Sequence, residues 1–350
     1  MYKKFFMGIA AMAALTLVSC SSDDLNSLSG TTSKNEAISF DSYLGRSAVS
    51  VNGSRGSVLN KDALQKPTEG FGVFGNYSST EATTAYGENL FKNQKVTYSA
   101  DETKWTYSPV KYWSPQGHID FLAYAPYVEN QELKENSKLD FTVLSTITDQ
   151  KDLLWANAAN QTMASNSGTD KKVNFKFAHA LSRLGYTVKT SLTGTSTTIT
   201  LKKITLAGSA DETKTAFYTK GTIDLSKTSS TGLWKTSDTD TKQNFYWVSS
   251  DKTLSDPETK NSDTDYLFVI PQDFSKTIEN ADALYVIVEY TINYEDGKAM
   301  TNKVSGKLTQ NFEQGKAYSI NLTLGLTPIK FDVTTVDNWA ETEQKEPSWN

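Results

Sequence analysis

The chain has 350 residues, 37% of them hydrophobic, and a formal charge of −5. That acidic balance argues against nucleic acid as a partner, because phosphate contacts need basic patches. The single cysteine, Cys20, excludes a disulfide framework and a thiolate metal site. The length suits two domains or one large β domain, and 17 Tyr, 16 Phe and 7 Trp beside abundant Ser and Thr point to aromatic-rich strands.

At the start, Lys3 and Lys4 precede an apolar run from Phe5 to Val18. The run falls short of the ~20 residues of a membrane span and has the form of a secretory signal. It ends in Leu17-Val18-Ser19-Cys20, which resembles a bacterial lipobox. The resemblance implies removal of residues 1–19 and a diacylglycerol on the Cys20 sulfur, so that Cys20 meets outer-membrane lipid. An exported chain folds where thiols oxidise, so the absence of other cysteines fits, and more than one acyl chain makes a durable anchor. Losing Lys3 and Lys4 moves the formal charge to −7, with 33 basic against 40 acidic residues. Residues 20–37 lack apolar periodicity and read as a flexible tether. Its "SSDD" resembles surface-export signals of Bacteroidetes-type lipoproteins.

Strand-like runs follow. In "AISFDSYL" (Ala37–Leu44), Ile38 and Phe40 alternate with Ser39 and Asp41. "GFGVFGNY" (Gly70–Tyr77) matches G-x-G-x-x-G, but no helix follows to meet a pyrophosphate, so it reads as an aromatic strand with small residues on its other face. The stretch Lys104–Tyr127 is the most aromatic; Trp105, Tyr112 and Trp113 are core if buried and a sugar-stacking platform if exposed. "QKDLLWANAANQ" (Gln150–Gln161) and "ADETKTAFYTK" (Ala210–Lys220) are the best helix candidates. "MASNSGTDKK" (Met163–Lys172) reads as a linker dividing a domain at 38–170 from one at 171–339, with an acidic tail at 340–350.

In "TITLKKITL", Ile199 and Leu201 are out of phase with Ile204 and Leu206, which predicts a bulge at Lys202-Lys203. "LYVIVEYTINY" (Leu284–Tyr294) puts Val286, Val288, Tyr290 and Ile292 on one face, and Glu295-Asp296-Gly297 supplies a hairpin turn. "YSINLTLGL" alternates through Ile320, Leu322, Leu324 and Leu326, Pro328 breaks it, and "IKFDVTTV" begins another strand. The regular strand-and-turn spacing predicts β-sandwiches. No G-x-S-x-G, H-E-x-x-H or Walker pattern occurs. The two histidines, His118 and His179, have no metal-spaced neighbours, and the two "SDTD" runs read as solvated turns, so neither cofactor nor enzymatic activity is expected.

Five blocks carry a family likeness: "YWSPQGHIDFLAYAP", "VNFKFAHALSRLGYTVK", "YLFVIPQDF", "FEQGKAYSINLTL" and "FDVTTVDNW". In this order, after a lipobox, they resemble Bacteroidetes fimbrillin-type proteins. The resemblance implies an all-β body of two tandem transthyretin-like antiparallel β-sandwich domains in a surface lipoprotein precursor of a pilus subunit or adhesin. It also implies that an arginine-specific protease cuts at Arg46 or Arg55 and frees the first strand, with Ile38, Phe40 and Tyr43. The groove left behind accepts a strand from another subunit. The donor is the C-terminal strand of another copy, with Ile329, Phe331 and Val333, or the preceding "YSINLTLGL". The chain has only three arginines, and the third, Arg183, sits in a core-forming strand, so such a protease finds few other targets. A host protein or glycan is a further expected partner. The rival reading is a monomeric surface lipoprotein that binds glycans through Trp105, Tyr112 and Trp113.

Overall fold

A computed structural model describes residues 36–44, 59–66, 68–80, 83–166, 172–192, 196–229, 231–237, 241–254, 259–261, 265–276, 282–325 and 330–336. The signal and tether with Cys20, the Arg46 and Arg55 positions, Leu326, Ile329 and the acidic tail lie outside the described residues.

Alternating apolar residues and punctuating turns give the first half eight strands. They are β1 (Phe40–Leu44), β2 (Phe71–Ser78), β3 (Phe91–Ser99), β4 (Lys104–Thr106), β5 (His118–Ala125), β6 (Lys138–Thr142), β7 (Leu154–Gln161) and β8 (Val173–His179). All except β6 form one sheet in the order β1-β8-β7-β5-β2-β3-β4. One face of this sheet buries an aromatic core of Phe40, Phe71, Phe91, Phe121, Phe175 and Phe177 with Trp105 and Trp113.

The second half contributes β9 (Ser182–Thr190), β10 (Thr198–Ala207), β11 (Lys220–Asp224), β12 (Phe245–Leu254), β13 (Leu284–Asn293), β14 (Ala299–Leu308), β15 (Ala317–Leu324) and β16 (Lys330–Val336), with shorter strands between. One sheet runs β12-β10-β13-β14, and the other carries β9, β15 and β16 in that order. Their inner faces share one cluster, in which Ile199, Leu201, Ile204, Leu206, Val286, Val288 and Ile292 meet Leu184, Val188, Ile320, Leu322 and Leu324. The bulge in β10 is present as a register shift between Leu201 and Lys203 that lets both Leu201 and Ile204 point inward. The Glu295-Asp296-Gly297 hairpin is present too, closed by Tyr294 N–H to Lys298 O at 2.8 Å, with Gly297 at φ +80°.

Three expectations change. The helix expected at Gln150–Gln161 is instead a short irregular stretch, after a 3-10 turn at Ile147–Asp149, that leads into β7, a strand between β5 and β8. There Leu154, Trp155 and Ala156 are buried, and pairing on both sides overrides the weak strand preference of Ala and Asn. The helix expected at Ala210–Lys220 is a turn pinned by the Asp211 carboxylate, which accepts from Ser209 Oγ at 2.6 Å and Thr213 Oγ1 at 2.8 Å, before short strands. The sheets are not wholly antiparallel, because β1 runs parallel to β8 and β9 parallel to β15. The first sheet includes β8, which pairs with β1 and β7. Conversely, β6 pairs with β11 from the second half. Leu122, Tyr124 and Trp155, on the first sheet's other face, join the second core, so the halves share apolar packing.

Candidate functional site: the seat of the first strand

Phe40 sits at the centre of the aromatic core. Its ring lies 5.3 Å from Tyr107, 5.5 Å from Phe91, and 5.6 Å from both Phe121 and Phe175. Ile38, Phe40 and Leu44 are buried, which follows from period-two alternation, whereas Tyr43, of opposite parity, is 57% exposed. Burying a side chain such as Phe40 is worth about 1.5–3 kcal/mol. Leu44, not Tyr43, is therefore the third apolar anchor of this strand.

The backbone of the segment is held on two flanks. On one, β1 pairs in parallel with β8, Phe40 opposite Val173 through Leu44 opposite Phe177, and Val173 N–H donates to Ser39 O at 2.8 Å. On the other, Ile38 N–H donates to Lys111 O and Trp113 N–H to Glu36 O, each at 2.8 Å, around an antiparallel bridge of Ala37 with Tyr112. The Tyr107 hydroxyl donates to Ile38 O at 2.7 Å, and burial raises its pKa. Residues 36–44 thus fill a slot between two strand segments. The exposed Lys172–Asp41 pair, at 3.7 Å, adds little.

Two glycines of the G-x-G-x-x-G match make room for rings on the two faces of the sheet, Gly75 on the side of this core and Gly72 on the other. A Cβ on Gly72 would stand 2.4 Å from the Tyr124 ring, and one on Gly75 would stand 2.8 Å from the Phe91 ring.

The sugar platform expected at Trp105, Tyr112 and Trp113 is not formed. Trp105 and Trp113 are buried, Trp105 packing 4.9 Å from Phe71 and Trp113 6.4 Å from Phe121, and only Tyr112 is exposed. Alternation carries both indoles inward, where their areas are worth most.

The strand with Phe331 and Val333 is β16, paired antiparallel with β15 so that Val333 stands opposite Ile320. It ends its sheet's order, with Val333 partly buried against the second core. Arg183 lies in β9, buried, with its guanidinium 4.4 Å from the Tyr266 ring centre, and desolvation lowers its pKa.

Sequence reasoning missed two buried His–Asp pairs. His118 Nε2 stands 3.2 Å from Asp120 Oδ2, and His179 Nδ1 stands 2.6 Å from Asp152 Oδ2. Asp120 also accepts the Ala85 and Asn160 N–H groups, and Asp152 accepts Leu59 N–H. Both aspartates therefore pin loop backbones. Only the spacing His118-x-Asp120 hinted at either pair, since Asp152 lies in the irregular stretch before β7 and His179 at the end of β8, 27 residues later. Among the described residues no group of three or more His, Cys, Asp or Glu is arranged to hold a metal ion, and no helix is long and apolar enough to cross a membrane.

A model of fimbrillin-like proteins matches residues 60–339. The chain belongs to the fimbrillin-like family. The match starts after β1 and its slot-filling segment. A comparison with curated proteins finds no match. Among solved structures, a fimbrial protein from Bacteroides vulgatus aligns with a TM-score of 0.66 at 20% identity, covering 87% of this chain and 100% of the other, which shows the same fold. A protein assigned to cell adhesion from Bacteroides uniformis aligns at TM-score 0.48 and 17% identity, covering 87% and 99%. The tip fimbrial protein Mfa3 from Porphyromonas gingivalis aligns at 0.36 and 11%, covering 76% and 99%.

Proposed function

We propose that this fimbrillin-like chain is a structural subunit or adhesin of a surface pilus, exported as a lipoprotein through Cys20 and assembled by strand addition after its first strand is removed. Family membership supports the pilus reading and a non-enzymatic role. One observation carries the assembly step: Ile38 and Phe40 fill an aromatic slot whose flanks are backbone edges on both sides. Loss of residues 36–44 vacates that slot and unpairs both edges, a state that favours capture of another strand. The Ile38-Ser39-Phe40-Asp41 pattern recurs as Ile329-Lys330-Phe331-Asp332 in and just before β16. A C-terminal strand from a second copy would therefore offer Ile329 and Phe331 at the spacing of Ile38 and Phe40.

Cleavage at Arg46 or Arg55 would release the first strand. The test replaces both with Ala in the native host and examines polymer by electron microscopy and by gel mobility with and without heating. Monomer from the double variant and polymer from the parent are expected, while Arg183→Ala lowers folded yield instead. Equal polymer from parent and double variant, or only monomer from fully trimmed parent, would overturn the mechanism.

A further inference from the structure

We propose that a recess between residues 145–148 and the start of β12 is a binding subsite for a neutral pyranose sugar. The subsite stands apart from the first-strand slot and does not depend on polymerisation.

The recess has a volume of about 310 Å³, at the small end of the ~300–1,000 Å³ usual for ligand pockets, which suits one sugar ring. Its lining combines two chemistries. Tyr246 projects from β12 with 53% of its surface exposed, an unusual state for a large aromatic in this chain. Around it stand the Ser145 and Thr146 hydroxyls and the Asp265 carboxylate, none engaged by a hydrogen bond or ion pair among the described residues. A pyranose offers the complement. Its C–H face carries slight positive charge and packs on the negative face of an aromatic ring, while its hydroxyl rim donates to a carboxylate and exchanges bonds with Ser and Thr.

The walls are held in place before any ligand arrives. Trp247 donates through Nε1 to Asp265 O at 2.9 Å, which ties the acidic wall to β12. The Asn244 amide accepts from Ala216 N–H at 3.1 Å and donates to Glu212 O at 3.3 Å. Lys203 Nζ lies 4.9 Å from the Tyr246 ring centre and restrains the ring. Such preorganisation lowers the entropic cost of binding.

Charge decides the sugar class. The lining holds one carboxylate and no Lys, Arg or His. The nearest cation, Lys203 beside the Tyr246 ring, is already paired with Glu212 at 3.9 Å, so an anionic sugar would meet repulsion from Asp265, and neutral hexoses and N-acetylhexosamines are favoured over sialic acid. A peptide fits less well, because strand addition relies on a bare backbone edge with apolar side-chain pockets, and this lining is rich in free hydroxyls.

The test is saturation-transfer NMR on the intact chain with the methyl glycosides of glucose, galactose, mannose and N-acetylglucosamine, and with N-acetylneuraminic acid as the anionic probe. At least one neutral glycoside should show transfer to its ring protons, and the acid none. Tyr246→Ala should weaken binding tenfold or more, Asp265→Asn severalfold, and Tyr246→Phe little, since the ring persists. Tyr112→Ala, at an exposed aromatic elsewhere, should leave the signal unchanged. No transfer from any neutral glycoside, an undiminished signal in Tyr246→Ala, or preference for the acid would overturn the proposal.

Discussion

The two cores of this protein are closed in different ways. The second is a larger sandwich of mixed aliphatic and aromatic side chains whose strands β13 and β14 follow each other through a three-residue turn, so local chain order builds part of it. The first is aromatic, and the strand that completes it, β1, pairs with β8 some 130 residues later. A core completed by a terminal segment can lose that segment without a break inside its remaining strands, whereas β13 lies mid-sheet and mid-chain. The contrast teaches that detachability is a property of connectivity, since Phe40 is as deeply buried as Val288.

Cavity-forming substitutions break the comparison most strongly. Phe40→Ala should cost about 3–5 kcal/mol and Ile204→Ala about 2–5 kcal/mol in denaturant unfolding. Hydrogen exchange separates them: Phe40→Ala should deprotect β8 amides around Val173–Phe177 first, and Ile204→Ala those of β10 and β13. Equal deprotection of both regions by both variants would show one undivided cooperative unit. A smaller effect tests the slot's rim. Tyr107→Phe removes the bond to Ile38 O and should cost about 0.5–1.5 kcal/mol, seen as faster exchange at Ile38 with β13 unaffected. The smallest concerns the turn found at Ala210–Lys220. The Ser209 and Thr213 hydroxyls hold the Asp211 pKa down to about 2. A depressed carboxylate contributes stability above its unfolded pKa, and that contribution is lost as pH falls through the folded value. Asp211→Ala should therefore be slightly less stable than the parent at neutral pH, and the difference should vanish as pH approaches 2.

Much of the second core was legible because strict alternation survives in "LYVIVEYTINY" and "YSINLTLGL", where one face is buried by an opposing sheet. Strand β14, "AMTNKVSGKL", carried no such signal: it ends its sheet's order, and its residues from Ala299 to Lys307 are exposed or half-buried, so no apolar face is required of it. The recess around Tyr246 was equally silent, since its walls come from segments about 100 residues apart.

By itself the sequence determined the parity of β13 and β15, the β10 bulge, the Gly297 hairpin and the apolar alternation of Ile38 and Phe40, because these follow from side-chain period and turn stereochemistry within a few residues. Only the tertiary structure decided that β1 lies parallel to β8, that Trp105 and Trp113 face the core and Tyr112 does not, that Asn157 and its alanine neighbours form a strand, and that Asp152 meets His179. The reason is physical: alternation specifies which residues share a face, but which partner covers that face depends on contacts between segments far apart in the chain.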